Sequence, residues 1–163
     1  MEVVHTERMV LSRIRPEDLE AVHEIHSDPR TNVYSSAGPP VDLEASRVML
    51  DLWLADWADR GIGYWAARLT EGSQVLGIGG LRHAALDGAD VLHLYYRFRP
   101  AAWGRGYAVE LARAALRVGR DLGTVVALIG DGNEPSRRVA EKAGLHRERT
   151  IPYGGVPSDL YVA

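Results

Sequence analysis

The residues best placed to do chemistry form a short run between an apolar segment and a helical one. This run, the glycine turn, comprises Trp103, Gly104, Arg105, Gly106, Tyr107 and Ala108. It follows a predicted strand over residues 91–99 and opens a predicted helix over residues 105–120. The first amides of a helix have no partner within the helix, and glycines let a ligand approach the main chain closely. The spacing therefore favours a binding site for phosphate oxygens.

Two other phosphate-binding patterns fit the chain less well. A dinucleotide-binding fold places Gly-x-Gly-x-x-Gly in an early strand–turn–helix unit, with an acid about 20 residues later. Gly77-Ile78-Gly79-Gly80 lies inside a predicted strand with no helix after it, so its glycines indicate close backbone packing instead. The glycine turn also lacks the Gly-Lys-Ser/Thr sequence of a P-loop.

The glycine turn resembles the Gln/Arg-x-x-Gly-x-Gly/Ala turn of the GNAT superfamily of acyl-CoA-dependent N-acyltransferases, with Trp103 replacing the usual Gln or Arg. Its Trp-Gly-Arg-Gly-Tyr-Ala form is similar to the branch that acetylates ribosomal-protein N-termini, the Rim-type branch. Residues 133–145 resemble that branch's Asn-x-x-Ser…Glu-Lys-x-Gly-Phe helix, and residues 6–18 resemble its opening strand and helix. Together the three motifs are specific, and the resemblance covers nearly the whole chain.

The resemblance implies a fold that agrees with the pattern of predicted elements. Antiparallel strands followed by a strand–helix–strand crossover predict a mixed α/β sheet. In GNAT domains this sheet is mostly antiparallel, helices cover both faces, and the fourth and fifth strands splay apart to admit the pantetheine arm of CoA. We expect residues 1–163 to form a single domain of this kind.

Local signals place the individual elements. Strands are predicted at Met9–Ile14, Tyr64–Leu69, Gln74–Leu81, Val91–Arg99 and Thr124–Ile129, and in a closing hairpin of Leu145–Ile151 with Asp159–Val162. Helices are predicted from Pro16 to about Ser27, from an N-cap at Asp42 to Gly61, over Arg105–Arg120 and over Glu134–Ala143. The intervening residues 28–40, rich in Pro, Gly, Ser and Asn, predict a loop.

The resemblance also implies acetyl-CoA as the co-substrate, with its diphosphate on the amides of the glycine turn. A backbone amide near Arg97 or Phe98, at a bulge in the strand, would stabilise the oxyanion formed at the thioester carbonyl. Asn133 would contact the pantetheine region. The implied cofactor-binding residues are Arg97, Phe98, Trp103, Gly104, Arg105, Gly106, Tyr107, Ala108, Asn133 and Ser136. Whether the acyl group is acetyl or longer stays open.

Amine acetylation needs a neutral amine and a proton for the departing thiolate. Many GNAT enzymes use a Tyr as the acid, but Ala140 occupies the matching position, and the Rim-type resemblance implies Ser136 as the substitute. His93, on the strand before the glycine turn, is the preferred base, because an imidazole ordinarily titrates near neutral pH. His83 is its rival, and either histidine could instead be a hydrogen-bonded residue of the sheet.

The acceptor pocket is expected between residues 28–40, the second helix and the closing hairpin. The predicted lining residues are Tyr34, Tyr153, Asp159 and Tyr161. Asp159 and Tyr161 are similar to an Asp-x-x-Tyr-like ending of the Rim-type branch, with the spacing shortened by one. The expected acceptor is a primary amine, either a protein N-terminus or a small molecule, and the sequence does not choose between them.

Composition limits the remaining possibilities. The 163 residues include no cysteine and carry a formal net charge of −3. The lack of cysteine excludes disulfides, thiolate catalysis and cysteine-ligated zinc, and it fits a cytoplasmic protein. The net charge disfavours general nucleic-acid binding, and without a signal-peptide pattern or a spanning apolar run no membrane partner is expected. No metal is expected, because His23 and His26 lack a third ligand. Homodimer formation stays open.

Three functions therefore stay in consideration. The first is an acetyl-CoA-dependent N-acetyltransferase in which the amine attacks the thioester directly in a ternary complex. The second, favoured by Ala140 in place of the usual Tyr, is a non-catalytic acyl-CoA-binding or regulatory module. The third is a nucleotide-binding protein that uses the glycine turn for a different diphosphate.

Overall fold

One open sheet of eight strands organises the computed structural model, which describes residues 1–163. The strands are β1 (Val3–His5), β2 (Met9–Arg13), β3 (Tyr64–Leu69), β4 (Gly77–Leu86), β5 (Ala89–Phe98), β6 (Val125–Gly130), β7 (His146–Tyr153) and β8 (Val156–Val162). Their order across the sheet is β1-β2-β3-β4-β5-β6-β8-β7. All neighbours are antiparallel except β5 and β6, which confirms the predicted mixed sheet.

Four helices cover the two faces of the sheet. They are α1 (Leu19–Ser27), α2 (Leu43–Arg60), α3 (Tyr107–Gly119) and α4 (Glu134–Ala143). Trp53 of α2 packs on the Tyr64 ring of β3, with ring centroids 5.2 Å apart. Leu111 of α3 lies against Gly79 of β4 on the opposite face. We call these two sides the α1/α2 face and the α3/α4 face.

The ends of the helices follow the capping signals in the sequence. The Asp42 carboxylate accepts a hydrogen bond from an amide in the first turn of α2 at 2.8 Å, as its predicted N-cap role requires. Asn133 caps α4 in the same way, at 3.2 Å. Helix α4 ends at Gly144, whose φ of 116° lies in the region that favours glycine. These local interactions set the boundaries of the helices that flank the site.

Strands β5 and β6 pair over only two positions, Leu92 with Val125 and His93 with Val126. Beyond those positions both strands continue to their ends without pairing to each other. β5 and β6 correspond to the splayed fourth and fifth strands of the predicted fold. Their numbers here are higher by one because β1 was not predicted from the sequence. We call the opening between their final residues the cleft.

Two hairpins are tighter than the sequence indicated. Asp87 and Gly88 have φ values of 50° and 80°, and Gly154 and Gly155 have φ values of 57° and 80°. Two consecutive residues with positive φ make a two-residue turn whose twist matches that of the flanking strands. The loop predicted over residues 153–158 is therefore mostly strand, and β7 and β8 extend almost to the hairpin tip.

The glycines of β4 allow close packing, as the sequence predicted for them. A Cβ added to Gly77 would lie 2.5 Å from the Phe98 ring. A Cβ added to Gly79 would lie 2.5 Å from the main-chain oxygen of Tyr95. The Phe98 ring and the backbone of β5 therefore leave no room for side chains at these two positions, and β5 packs closely on β4 beside the cleft.

We predict that Gly79→Ala destabilises the fold. The new methyl group would press on backbone atoms of β5, which cannot move aside like a flexible side chain, so a cost of about 1–3 kcal/mol in the free energy of unfolding is expected. Chemical denaturation would measure it. Gly72→Ala is the matched control, because its Cβ would meet nothing closer than 3.4 Å. Equal stability of the two variants would contradict the packing argument.

Candidate active site

The glycine turn links the end of β5 to the start of α3. A short 3₁₀ turn at Pro100–Ala102 comes first, and α3 begins at Tyr107. Gly104 and Gly106 have φ values of 73° and 81°, a conformation that other residues adopt only with strain. The two glycines therefore make the change of direction that aims the N-terminus of α3 outward.

Six consecutive backbone amides at this turn have no partner within the protein. They belong to residues 104–109, and the next amide, that of Glu110, donates to the Gly106 carbonyl at 3.1 Å. Residues 104–106 are exposed. A row of free N–H groups at a helix N-terminus combines unsatisfied donors with the positive end of the helix dipole. This arrangement suits a phosphate or diphosphate.

An acid in the first turn of α3 would oppose phosphate binding if it were free, but Glu110 is fully engaged. Arg8, in the connection between β1 and β2, contacts its carboxylate with an Nη2–Oε2 distance of 2.7 Å. Thr6 donates a further hydrogen bond to Glu110 at 2.6 Å. Burial raises the pKa of Glu110, but hydrogen bonds from Thr6 and Arg8 outweigh burial and hold it below its ordinary value.

Arg8 also stabilises the turn directly. Its Nη1 donates to the Arg105 carbonyl at 2.8 Å, and its guanidinium lies 4.7 Å from the centre of the Tyr107 ring. Sequence reasoning missed this contact, because the partners are about a hundred residues apart. The available signal was the acid at position 110, since an acid in the first turn of a phosphate-binding helix needs a cation beside it.

Positive charge continues along the outer surface of α3. A groove of about 440 Å³ runs from the glycine turn toward the end of α4. Its basic lining residues are Arg8, Arg113, Arg117 and Lys142. The groove gives the turn a cationic rim, although the chain as a whole carries a net charge of −3.

The register of β4 and β5 determines which amides of β5 face the cleft. The Arg99 amide donates to the Leu76 carbonyl at 2.8 Å, and the pairing runs without a register shift from there to the hairpin. Amides alternate in direction along a strand, so those of Tyr96 and Phe98 point away from β4 and into the cleft. The Trp103 indole donates to the Phe98 carbonyl at 2.8 Å, on that same edge.

Of the two residues predicted to stabilise the oxyanion, only one has a backbone amide that faces the cleft. Phe98 presents its amide to the cleft, whereas the Arg97 amide faces β4. No bulge interrupts this part of β5, so the bulge implied by the resemblance is absent. The splaying of β6 rather than a bulge leaves the Phe98 amide free of the sheet.

The far wall of the cleft is the first turn of α4, which carries Asn133 and Ser136. Asn133 is the N-cap of α4, and its side-chain oxygen accepts a hydrogen bond from the Ser136 backbone amide. The Tyr96 hydroxyl reaches across from β5 and donates to the Ser136 carbonyl at 2.8 Å. Burial raises the pKa of Tyr96, so its phenol stays protonated. Tyr96 was not among the predicted site residues, although it supplies a hydroxyl where the usual Tyr is replaced by Ala140.

The two candidate bases lie in different places. His93 is at the vertex of the cleft, where β5 and β6 last pair, with its ring centre 6.1 Å from that of Tyr153. Burial and the charge of Arg82 lower the pKa of His93 to about 4. His83 lies nearer the hairpin tip and pairs with Asp90 at 2.9 Å. His83 therefore lies one strand away from the cleft and is paired with an acid, and His93 is a weak proton acceptor at neutral pH.

The four predicted acceptor residues separate onto two faces. Tyr34 and Tyr153 are both about half exposed, and the Tyr34 main chain lies against Gly130, where β6 ends. Asp159 and Tyr161 point to α4 instead. Asp159 binds arginines of α4 and β7, with oxygen–nitrogen distances of 2.9 and 3.0 Å, and Tyr161 donates to a glutamate of α4 at 3.1 Å. Only Tyr34 and Tyr153 therefore lie where the acceptor pocket is predicted, on the α1/α2 face, and we call this region the predicted acceptor side.

A buried histidine of α1 packs on the α1/α2 face of the sheet. His26 Nδ1 lies 2.9 Å from the Val22 carbonyl, which can only accept, so Nδ1 carries the proton. Nε2 then accepts from the Tyr95 hydroxyl at 3.0 Å. His26 is thus engaged within the protein, and His23 contacts Ser46. No group of three histidine, aspartate or glutamate side chains is placed to hold a metal ion.

The fold and the free amides beside a splayed strand pair are those of an acyltransferase domain. Residues 8–146 match the model of the acetyltransferase (GNAT) domain. The chain belongs to the GNAT acetyltransferase family, which confirms the family indicated by its motifs. No helix is both long and apolar enough to cross a bilayer.

Two sequence relatives are proteins of Bacillus species. The uncharacterized protein YkkB of Bacillus subtilis is 38% identical over 104 residues, which is 62% of this chain and 60% of YkkB. The uncharacterized N-acetyltransferase p20 of Bacillus licheniformis is 24% identical over 155 residues, covering 91% of this chain and 84% of p20.

Solved structures share the fold along its whole length. An acetyltransferase from Agrobacterium tumefaciens has a TM-score of 0.84 and 26% identity, covering 100% of this chain and 94% of the other. A putative ribosomal-protein-serine acetyltransferase from Vibrio cholerae has a TM-score of 0.74 and 16% identity, covering 98% and 94%. The aminoglycoside acetyltransferase AAC(6′)-Ib, in complex with ribostamycin and coenzyme A, has a TM-score of 0.79 and 16% identity, covering 96% and 93%. The last two likenesses show the fold alone.

We predict that the protein loses stability as the pH falls from about 6.5 to about 4. His26 and His93 both have a folded-state pKa of about 4, lowered first by burial and then by a nearby arginine. The unfolded chain protonates its histidines near pH 6.5, so acid favours unfolding, by about 1–3 kcal/mol per histidine. Above pH 7 this contribution is constant. Urea denaturation at several pH values would measure the change.

The variant His93→Gln should reduce that pH dependence while leaving the part due to His26. Nuclear magnetic resonance titration gives a direct check on the imidazoles. A His26 ring that titrates near pH 6.5 in the folded protein would contradict the assignment.

Proposed function

We propose that this protein transfers an acetyl group from acetyl-CoA to a primary amine by direct attack within a ternary complex. The observation that carries the proposal is the row of six unpaired amides at residues 104–109, placed beside the open end of the cleft. Membership of the GNAT family supports it, as does the fold shared with an enzyme crystallised with coenzyme A.

In this proposal each part of the co-substrate has a matching part of the site. The free amides of the glycine turn bind the diphosphate, with the Arg8–Glu110 pair holding the turn in place. The cleft between β5 and β6 admits the pantetheine arm, with Asn133 and Ser136 on the far wall. The Phe98 amide then donates to the thioester oxygen and stabilises the oxyanion of the tetrahedral intermediate.

The chemical step forms one bond and breaks another. The neutral amine nitrogen attacks the thioester carbon, and collapse of the intermediate breaks the carbon–sulfur bond. The amine gives up a proton, and the departing thiolate takes one. No covalent enzyme intermediate is needed, which agrees with a chain that has no cysteine.

Two hydroxyl groups are candidates to protonate the thiolate, and the geometry favours Tyr96 over Ser136. A phenol is a stronger acid than an aliphatic alcohol, and Tyr is a common proton donor in enzymes. Tyr96 already spans the cleft, and its raised pKa keeps the proton available. In this proposal Ser136 fixes the position of Tyr96 through its carbonyl rather than giving the proton itself.

The amine's own proton is best assigned to water. His93 has a pKa of about 4, which makes it a weak base at neutral pH. Its place at the vertex of the cleft suits a residue that orients a water molecule or the acceptor. Tyr34 and Tyr153 would border the acceptor as it enters.

A non-catalytic acyl-CoA-binding module is the second candidate. Ala140 is fully buried where the family's usual Tyr would lie, so the common acid is missing. Thiol release from acetyl-CoA over a panel of amines distinguishes the two functions. Tight binding of acetyl-CoA without release for any amine would favour the module. Calorimetry with ADP tests the third function, which would predict equal affinity for ADP and acetyl-CoA.

We predict that Ala108→Pro weakens acetyl-CoA binding by about 10- to 100-fold. The change removes one of the free amides, and a hydrogen bond to a charged group contributes about 1.5–3 kcal/mol. Proline is tolerated in the first turn of a helix, and α4 already carries Pro135 at the equivalent second position. Isothermal calorimetry would measure the affinity.

The matched control is Ala108→Gly, which keeps the amide and should retain affinity within a few-fold. Circular dichroism checks that α3 is intact in both variants. Unchanged affinity in a folded Ala108→Pro protein would show that this amide does not bind the diphosphate.

We predict that Tyr96→Phe lowers kcat by about 10²-fold or more, since a proton donor typically contributes ~10²–10⁴-fold. Ser136→Ala should lower kcat less than about tenfold, because its carbonyl is retained. The KM for acetyl-CoA should change little in either variant. Steady-state thiol release at saturating amine would measure both values. The reverse order of effects would return the acid role to Ser136.

A further inference from the structure

One arginine on the acceptor side differs from the other half-buried arginines. Arg97 is half-buried, and no carboxylate lies within 4.0 Å of its guanidinium. Each of the others has a carboxylate partner: Arg13 with Glu2, Arg68 with Asp18, Arg82 with Asp56, Arg99 with Glu24, and Arg137 with Asp159. A partly desolvated cation without an anion is costly unless a ligand supplies the anion.

Strand alternation places this guanidinium on the acceptor side. Arg97 lies on β5 two residues beyond Tyr95, and its guanidinium is 5.7 Å from the centre of the Tyr95 ring. Tyr95 in turn stacks on Tyr64 and contacts His26, so all of these groups lie on the α1/α2 face. The glycine turn leads into α3 on the opposite face. Arg97 therefore cannot be explained as a ligand of the diphosphate.

Arg97 does form a hydrogen bond to one neutral side chain, that of Asn32, which is itself fixed by hydrogen bonds to the main chain. Its Nη1 donates to the Asn32 side-chain oxygen at 3.3 Å. The Asn32 side-chain nitrogen, Nδ2, donates to the main-chain oxygens of His26 and Asp28, at 2.6 and 2.8 Å. Asn32 is thus fixed by the end of α1, and one of the five guanidinium N–H groups of Arg97 is used. The others have no protein partner.

The nearby acids are already engaged with other arginines. The Asp28 carboxylate binds Arg30 at 2.7 Å, and Glu24 binds Arg99 at 3.4 Å. Asp159, predicted as an acceptor residue, faces α4. The acceptor side therefore offers an unpaired cation and few free carboxylates, which is unfavourable for a polycationic amine and favourable for an anionic one.

We propose that the acceptor amine also carries a carboxylate, and that Arg97 binds this carboxylate in bidentate fashion. The inference rests on the proposed acetyl transfer. Arg97 is the neighbour of Phe98, whose amide faces the cleft, so a ligand held by Arg97 lies at the same end of β5 as the proposed position of the thioester. The planar guanidinium matches the geometry of a carboxylate. The substrate class is therefore amino acids or peptides with an acidic group close to the reacting amine.

Matched pairs of amines test the proposal on the wild-type protein. L-alanine and L-alaninamide have the same carbon skeleton, as do β-alanine and β-alaninamide, and in each pair a charged carboxylate is replaced by a neutral amide. Thiol release from acetyl-CoA gives kcat/KM for each, corrected for the fraction of unprotonated amine. We expect kcat/KM to be higher for the carboxylates by about tenfold or more, because a hydrogen-bonded pair of opposite charges is stronger than a neutral hydrogen bond. Equal values, or a preference for the amides, would overturn the proposal.

The variant Arg97→Gln should abolish the preference through a higher KM for the carboxylated amine. Its KM for acetyl-CoA should stay unchanged. Arg97→Lys keeps the positive charge but loses the planar guanidinium that can bind a carboxylate in bidentate fashion. It should therefore retain part of the preference. Arg99→Gln is the matched control, because Arg99 is a half-buried arginine of the same strand end that has a carboxylate partner. It should keep the full preference.

The outcomes separate this inference from the proposed function. Thiol release with neutral amines but no preference for carboxylates refutes the role of Arg97 alone. Silence with every amine refutes acetyl transfer itself. A raised KM for acetyl-CoA in folded Arg97→Gln would assign the guanidinium to the co-substrate and would also overturn the inference. The wild-type comparison of acids with amides stands even if Arg97→Gln fails to fold.

Discussion

The limited pairing of β5 with β6 is the constraint on which the candidate site depends. A buried strand normally satisfies every amide, yet here pairing stops after two positions and leaves the edge of β5 unpaired within the sheet. The cost of unpaired donors is acceptable only where a ligand or water can reach them. The close packing of the β4 glycines against β5 supports that strand from its other edge.

Local signals in the sequence were enough to predict the glycine turn, the N-cap at Asp42 and most element boundaries, because each depends on neighbouring residues. Contacts between distant segments could not be predicted in this way. Arg8 and Glu110 are an example, since the acid at position 110 indicates a cation beside it but no pattern shows that this cation comes from the start of the chain. The faces of β8 were also undetermined. Neighbouring residues of a strand point to opposite sides, so Asp159 could be placed only once its register was known.

The arginines of this protein have two different roles. Most of these side chains are paired with acids, and such exposed pairs contribute little to stability. Near the cleft their charge acts on the histidines: together with burial, Arg82 and Arg97 keep His93 and His26 neutral. The protein therefore has imidazoles beside its site that stay uncharged at neutral pH, and positive charge there comes from groups that cannot release a proton.

The position of Asp159 has a mechanical consequence. Its carboxylate joins Arg137, in the first turn of α4, to Arg147 at the start of β7. The same turn of α4 forms the far wall of the cleft, while the β7–β8 hairpin carries Tyr153 at the rim of the opposite face. A movement of that wall would act on the Arg137–Asp159 pair, which joins α4 to the hairpin, whereas the Arg147–Asp159 pair lies within the hairpin. The wall of the cleft and the hairpin that carries Tyr153 are thus linked through a single carboxylate, and replacing Asp159 would remove a partner from arginines of both elements at once.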